Sequence, residues 1–216
     1  DLSLNEVMIL ASIVEREAAA KEEKLAGWQM AEPDESMPIR TEPFRHQIAG
    51  FNIGIRLPAM ALLFEQGCGK TLAAIAIAGR RFEKGEIARV LIVAPASVVP
   101  VWPAEFEKHA AFRHDVRALE GPIKKRTATL ENWRPATDRL QAAVVNYEAT
   151  WRMEDALAAW GPDMIICDES QRIKTPGAKQ SKTMHRLGKR TKYRLILTGT
   201  PVSQGPLDFF SQYKFL

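Results

Sequence analysis

Phe64-Glu65-Gln66-Gly67-Cys68-Gly69-Lys70-Thr71 is the stretch of sequence that decides the fold. An apolar run at 58–64 leads into it, and a second apolar run at 72–78 follows with helical spacing. A glycine turn ending in Gly-Lys-Thr, between an apolar strand and a helix, is typical of a phosphate-binding loop. The pattern predicts a strand, a tight turn and a helix whose amino end faces a phosphate group.

The residue types in this loop fit the chemistry of a nucleotide phosphate. Gly67, Cys68 and Gly69 would let backbone N–H groups close around phosphate oxygens, and the following helix would add the positive end of its dipole. Lys70 would reach the β- and γ-phosphates, and the hydroxyl of Thr71 would bind Mg²⁺.

The composition limits the class of protein. With 216 residues and 46% apolar content, the chain suits one α/β domain with a buried core. No apolar run approaches the roughly 20 residues of a membrane span, and no secretion signal opens the chain. We expect an intracellular piece of a longer protein with no membrane partner. Two cysteines, Cys68 and Cys167, indicate packing residues and no disulfide framework.

Charge is distributed unevenly along the chain. Residues 1–37 hold nine acids and three bases, and we expect them to form an N-terminal helix followed by an acidic linker. Residues 38–216 form the predicted nucleotide-binding domain. Between 172 and 194, nine Lys or Arg occur without any acid, which indicates either polyanion contact or a solvated surface.

Apolar segments alternate with helical patterns from residue 44 onward. The predicted helices are 44–56, 71–82 and 103–112. The predicted strands are 59–64, 89–94, 142–146, 164–167 and 193–197. Apolar strands without polar alternation, separated by helices, predict a parallel sheet covered on both faces, which binds its ligand at the carboxyl ends of the strands.

Asp168 and Glu169 end one of these predicted strands. Phosphoryl hydrolysis needs one carboxylate near Mg²⁺ and a second that orients or deprotonates water. Asp168 fits the first role and Glu169 the second. An isolated pair of acids is usually a solvated loop, but this pair follows the Gly-Lys-Thr helix by about a hundred residues and precedes Ser170-Gln171-Arg172.

Residues 38–216 resemble the first RecA-like lobe of superfamily-two helicase-type ATPases, and most closely the Swi/Snf-like DNA translocases. The motifs occur in the order of that family. They are Pro43-Phe44-Arg45-His46-Gln47, the loop ending at Thr71 (motif I), Leu91-Ile92-Val93-Ala94-Pro95-Ala96-Ser97 with Trp102 (motif Ia), Val144-Val145-Asn146-Tyr147-Glu148 (motif Ib), Asp168-Glu169-Ser170-Gln171 (motif II) and Leu197-Thr198-Gly199-Thr200-Pro201 (motif III).

The resemblance implies a three-layer α/β phosphate-binding-loop fold, ATP and Mg²⁺ as cofactors, duplex DNA as partner and a second RecA-like lobe in the same protein. It implies adenine recognition by Gln47 and catalytic roles for Lys70, Asp168, Glu169 and Gln171. The implied nucleic-acid contacts are Pro95, Ala96, Ser97, Asn146 and Tyr147. Thr198, Gly199 and Thr200 would couple the nucleotide state to nucleic acid.

The sequence departs from the family at several positions. Gln171 stands where histidine is usual, and Ser170 stands where alanine is usual. Glutamine can both donate and accept a hydrogen bond, as neutral imidazole does, so hydrolysis is expected to survive. Phe64 occupies the first loop position, and Ser203-Gln204 replaces the usual Gln-Asn.

Two other functions remain open at the level of sequence. An RNA helicase lobe is the nearest alternative among enzymes. A nucleotide-dependent binding module, which moves no strand, is the alternative of another class.

Overall fold

The structure is a computed structural model that describes residues 32–200 and 207–216. Within these residues, six parallel strands form one sheet in the order β1-β6-β5-β2-β4-β3. In chain order, the strands are β1 (Ala59–Leu62), β2 (Arg89–Ala94), β3 (His114–Ala118), β4 (Leu140–Asn146), β5 (Met164–Asp168) and β6 (Tyr193–Leu197). The predicted parallel sheet is confirmed.

Helices cover both faces of this sheet. They are α1 (Arg45–Arg56), α2 (Lys70–Glu83), α3 (Val101–His109), α4 (Ile123–Glu131), α5 (Tyr147–Thr150), α6 (Glu154–Trp160), α7 (Lys179–Arg190) and α8 (Leu207–Phe215), with a 3₁₀ turn at Ser170–Ile173. The first three pack on one face, and α4 to α8 pack on the other. The described part of the chain contains no helix with the length and apolar character of a membrane span.

The side chains of β2 alternate between two cores. Val90 and Ile92 join the core under α1 to α3, whereas Leu91 and Val93 join the core under the other helices. All four are fully buried, and each such burial stabilises the fold by about 1.5–3 kcal/mol relative to exposure. A strand covered on both faces needs an apolar residue at every position, so its apolar run predicts it without alternation.

Several elements differ from the sequence prediction. β2 and β6 have the predicted bounds, whereas β1 ends at Leu62 and β4 begins at Leu140. The predicted helix at 103–112 spans Val101–His109, because Ala110 leaves the helix to pair with Ile39. The pattern did not predict β3 or any of the helices α4 to α8. β3 is an edge strand with the polar sequence His-Asp-Val-Arg-Ala, so it lacks the apolar run of a central strand.

The basic stretch at 172–194 includes α7. Thr183, Met184 and Leu187 on this helix are buried, and Lys182, Arg186 and Lys189 point to the solvent side. Arg186 is ion-paired with Glu154 of α6. The excess of bases in this stretch is therefore, in part, the exposed face of an ordinary packed helix.

The predicted acidic linker is partly visible and lies against the domain. Asp34 forms an ion pair with Arg56 of α1, and Glu35 forms one with Arg80 of α2 at 2.7 Å. The predicted helix that precedes this segment falls in residues 1–31, outside the described residues.

Gly79 marks a close approach between α2 and Phe112. A Cβ atom at Gly79 would lie 2.2 Å from Cε1 and 2.6 Å from Cδ1 of the Phe112 ring. That ring is enclosed by Phe82, Phe106 and His114, with centroids 6.0 to 6.4 Å away. The ring therefore has little freedom to move aside.

We expect Gly79→Ala to lower the free energy of unfolding by about 1–3 kcal/mol, the usual cost of overpacking a core. Alanine is the better helix former, so propensity alone predicts the opposite sign. Urea unfolding followed by circular dichroism measures the change. Gly177→Ala is the control, because no atom lies within 4 Å of its added Cβ. An unchanged or increased stability of Gly79→Ala would contradict this packing.

Candidate active site

The carboxyl ends of the strands bring the predicted nucleotide motifs to one cleft. Its volume is about 570 Å³. The cleft is lined by the phosphate-binding loop and the first turn of α2, by Asp168 and Glu169 at the carboxyl end of β5, and by side chains from α1 and α3. Of the residues predicted for the nucleotide and metal, it brings together Gln47, Gly67, Gly69, Lys70, Thr71, Asp168 and Glu169.

The loop has the backbone that its glycines permit. Gly67 and Gly69 have φ angles of 79° and 70°, in the left-handed region that L side chains rarely adopt. Lys70 begins α2 and is 9% exposed. Its Nζ donates hydrogen bonds to the carbonyl oxygens of Phe64 at 3.0 Å and Glu65 at 3.1 Å. A phosphate in this loop would meet the amino end of α2 and the ammonium together.

Gln47 braces the loop from the first turn of α1. Its Oε1 accepts a hydrogen bond from the backbone N–H of Phe44 at 2.8 Å, and its Nε2 donates to the carbonyl of Cys68 at 3.1 Å. His46 Nε2 lies 2.8 Å from the same Cys68 carbonyl. A Cβ at Gly69 would lie 2.0 Å from Gln47 Nε2. The position therefore needs glycine for space as well as for its φ angle.

These contacts add a role that sequence reasoning missed. Gln47 is 2% exposed and its amide is engaged with the loop and with Phe44. Recognition of adenine by Gln47 remains a prediction. No sequence signal identified His46 as a second contact to the loop, because the bond goes to a backbone carbonyl.

Asp168 is a buried carboxylate with unusual surroundings. It is 7% exposed, and its Oδ2 accepts a hydrogen bond from Trp102 Nε1 at 3.2 Å. Burial raises the pKa of Asp168 to about 6, the bond from Trp102 opposes this in part, and the charge of Glu169 raises it further. A nearby cation would favour the ionised form.

This donor set fits a magnesium ion that takes most of its ligands from elsewhere. Thr71 and Asp168 line the same cleft and supply one hydroxyl and one carboxylate oxygen. Residues 32–200 and 207–216 hold no cluster of three or more His, Cys, Asp or Glu that would bind a metal alone. Mg²⁺ commonly binds through one or two protein groups together with phosphate oxygens and water.

A chain of hydrogen bonds joins motif II to motif III. Gln171 Nε2 donates to Glu169 Oε2 at 2.8 Å, and Thr198 Oγ1 donates to Gln171 Oε1 at 2.9 Å. The backbone N–H of Thr200 donates to Thr198 Oγ1 at 3.1 Å. Glu169 has a φ angle of 51°, the single positive value among the non-glycine residues that the structure describes. Such strain is typical of functional sites whose surroundings fix the backbone.

Gly199 places motif III against motif I. A Cβ at this position would lie 3.1 Å from the backbone nitrogen of Gln66 and 3.3 Å from the carbonyl oxygen of Phe64. The close backbone approach explains glycine here. The structure thus connects the phosphate-binding loop, the acidic pair and the Thr-Gly-Thr turn.

The predicted nucleic-acid residues lie at the carboxyl ends of the neighbouring strands β2 and β4. Ala96 and Ser97 are exposed in the turn after β2, and Pro95 is half-buried. Asn146 Oδ1 accepts a hydrogen bond from Arg126 at 2.6 Å, which adds a cation that the sequence did not single out.

The prediction that Tyr147 contacts nucleic acid is corrected for its side chain. Its side chain is 1% exposed, and its hydroxyl donates to the backbone carbonyl of Asp168 at 2.7 Å. Burial raises the pKa of this hydroxyl well above its usual value, so it remains a donor. The tyrosine hydroxyl therefore faces motif II, and a nucleic-acid contact at this position would be left to the backbone.

Comparison with known proteins identifies the family. The model of the SNF2-related domain matches residues 46–216. The chain belongs to the SNF2-related domain family. Among its relatives, a "DNA repair and recombination protein RAD54-like" of Drosophila persimilis is 32% identical over 161 residues, which cover 70% of this chain and 20% of the relative. A "Probable chromatin-remodeling complex ATPase chain" of Oryza sativa subsp. japonica is 30% identical over 176 residues, covering 79% and 16%.

Solved structures support the same family and the predicted fold. The "Sulfolobus solfataricus SWI2/SNF2 ATPase core in complex with dsDNA" matches with a TM-score of 0.70 and 27% identity, over 86% of this chain and 38% of that one. The core domain described without DNA matches with a TM-score of 0.66 and 28% identity, over 84% and 36%. This SNF2-related domain spans about a fifth of the length of the curated relatives it matches.

We expect Gly69→Ala to weaken nucleotide binding at least tenfold, because its Cβ displaces the Gln47 amide that braces the loop. Gly85→Ala is a matched control, since its φ angle is 69° but no atom lies within 4 Å of the added Cβ. Both variants should lose about 1–2 kcal/mol of unfolding free energy from left-handed strain. Titration with a fluorescent ATP analogue measures binding. Equal affinities of the two variants would contradict the proposed brace.

Proposed function

We propose that this chain is the first RecA-like lobe of an ATP-dependent DNA translocase. It would bind ATP with Mg²⁺ and hydrolyse it to drive movement of the complete protein on duplex DNA. The observation that supports this best is the convergence of Lys70, Thr71, Asp168 and Glu169 on one cleft. Membership of the SNF2-related family supplies the second argument.

The residues of the cleft would have different roles in phosphoryl transfer. The loop amides and Lys70 would bind the phosphate oxygens and stabilise the charge that develops on them. Thr71 and Asp168 would hold Mg²⁺, which neutralises phosphate charge when bound. Glu169 would orient or deprotonate the attacking water, and its carboxylate is fixed by Gln171 at 2.8 Å. Thr198 would transmit changes at this carboxylate to motif III.

Duplex DNA would lie along the rim formed by the turns after β2 and β4. Pro95 to Ser97, Asn146 and Arg126 occupy this rim, where backbone amides, an amide side chain and a guanidinium can meet phosphates. The Sulfolobus solfataricus neighbour was solved in complex with dsDNA, which favours duplex DNA over RNA as the partner. A DNA partner also supports an intracellular location.

The complete protein would contain a second RecA-like lobe that closes the cleft. We propose that residues 1–37 form a separate N-terminal segment and 38–216 the first lobe. An arginine supplied by a partner domain can accelerate phosphoryl transfer by about 10³–10⁵-fold. Among residues 32–200 and 207–216, Lys70 is one of the side chains that line the cleft, and none of the lining residues is an arginine.

We expect a purified chain of residues 1–216 to bind ATP weakly and to turn it over slowly. The reason is that the second lobe would supply further positive charge around the phosphates. Steady-state ATPase assays with and without duplex DNA measure this. The complete protein, assayed in parallel, is the control. Vigorous DNA-stimulated turnover by the isolated chain would contradict the two-lobe proposal.

In the complete protein, we expect Lys70→Ala to reduce turnover by about 10²–10³-fold, the cost of removing one donor to developing charge. Glu169→Gln should abolish turnover while leaving ATP binding nearly unchanged, since it removes the base and retains the loop. Lys84→Ala is the control at the other end of α2, where Lys84 contacts Glu35. Full turnover by Lys70→Ala would contradict the assignment of the loop.

The same assays separate the alternative functions. Stimulation by duplex DNA above single-stranded DNA and RNA supports the translocase, whereas preferential stimulation by RNA supports an RNA helicase. A nucleotide-dependent binding module is supported if the unchanged protein shows negligible turnover and Lys70→Ala loses binding to the partner.

A further inference from the structure

Two buried aromatic side chains donate hydrogen bonds to Asp168. Trp102 Nε1 donates to the side-chain Oδ2 at 3.2 Å, and the Tyr147 hydroxyl donates to the backbone oxygen at 2.7 Å. Trp102 is 0% exposed and Tyr147 is 1% exposed, so neither side chain is available to a ligand. One aromatic residue thus holds the carboxylate, and the other holds its peptide unit.

The two donors come from the segments that form the proposed DNA rim. Trp102 lies in the first turn of α3, shortly after the exposed turn at Ala96 and Ser97. Tyr147 directly follows Asn146 at the end of β4. The strands β5, β2 and β4 are adjacent, and their register pairs Val93 with Cys167 and Ala94 with Asn146. The three strand ends therefore stand side by side.

Packing makes these contacts stiff. The Trp102 ring lies against Phe106 with centroids 6.2 Å apart and belongs to the core under α1 to α3. Tyr147 belongs to the opposite core, and its backbone oxygen accepts a hydrogen bond from Thr150 at 2.7 Å. Because close-packed side chains transmit small displacements, a shift of either rim segment would reach Asp168.

We propose that Trp102 and Tyr147 are positioning residues that orient Asp168 for Mg²⁺ and transmit the DNA contact of the two rim segments to this carboxylate. The proposal rests on the function proposed above. It differs from a purely structural role in one respect. The hydrogen bonds, and not merely the volume of the rings, set the dependence of nucleotide binding on Mg²⁺.

Trp102→Phe tests the first part, because it removes the N–H donor and keeps an aromatic ring. In the complete protein, binding of a fluorescent ATP analogue is titrated at increasing Mg²⁺ without DNA. We expect the Mg²⁺ concentration for half-saturation to rise by about tenfold or more, as is usual when a residue that orients a metal ligand is altered. Binding without Mg²⁺ should remain as in the unchanged protein.

Trp133→Phe is the matched control. Trp133 is 4% exposed and also donates its Nε1 to a carboxylate, Asp115 Oδ2 at 3.0 Å, but Asp115 lies on the edge strand β3. This variant has the same loss of ring size and of one donor, so we expect an unchanged Mg²⁺ dependence. Equal Mg²⁺ half-saturation in the two variants would overturn the positioning role of Trp102.

Tyr147→Phe tests the second part, with the buried Tyr193 at the amino end of β6 providing the control Tyr193→Phe. ATP turnover is measured at saturating duplex DNA, so that a change in DNA affinity does not enter. We expect Tyr147→Phe to lose most of the stimulation by DNA, and Tyr193→Phe to retain it. Retention of full stimulation by Tyr147→Phe would overturn the transmission.

The failure of this inference can be told from the failure of the proposed function. If the unchanged protein shows Mg²⁺-dependent ATP binding and DNA-stimulated turnover but the variants match their controls, the inference alone is wrong. If the unchanged protein binds no ATP with Mg²⁺, the proposed function is wrong and the inference falls with it. Thermal unfolding of all four variants verifies that each is folded at the assay temperature.

Discussion

The burial of Asp168 at the end of β5 is the constraint on which the rest of the site depends. A carboxylate that is 7% exposed is costly to ionise unless donors or cations surround it. The fold meets part of this cost with the indole of Trp102 and the nearby charge of Lys70. Under the function proposed above, Mg²⁺ bound with a nucleotide would offset the remainder, because a nearby cation favours the ionised form of a carboxylate.

The phosphate-binding loop depends on α1 as much as on its own glycines. His46 lies edge-on to the ring of Phe64 with centroids 5.1 Å apart, and a Cβ at Gly50 would lie 2.8 Å from that ring. The phenylalanine that replaces the usual first glycine therefore anchors the loop to α1. Together with the hydrogen bonds of Gln47, this packing holds the loop against α1. Phe64, which departs from the usual motif, is thus explained by its packing against α1.

Sequence patterns predicted the central strands and the nucleotide motifs because their physical causes are local. β2 is buried on both faces, so its apolar run predicts it directly. α7 escaped prediction because its buried face includes Ser181, Thr183, His185 and Gly188, which resemble a polar loop. Tyr147 was assigned to the wrong side because the sequence shows that it follows a strand but not where its side chain points. Trp102 was placed in motif Ia, but its bond to Asp168 depends on how α3 packs.

Gln171 puts a side chain that does not titrate between motif II and motif III. It joins Glu169 to Thr198 by accepting with its oxygen and donating with its nitrogen. A histidine at this position would titrate near neutral pH and would lose its acceptor on protonation. An amide does not titrate in this range, so Gln171 keeps both its donor and its acceptor. The residue that links Glu169 to Thr198 therefore adds no protonation switch of its own.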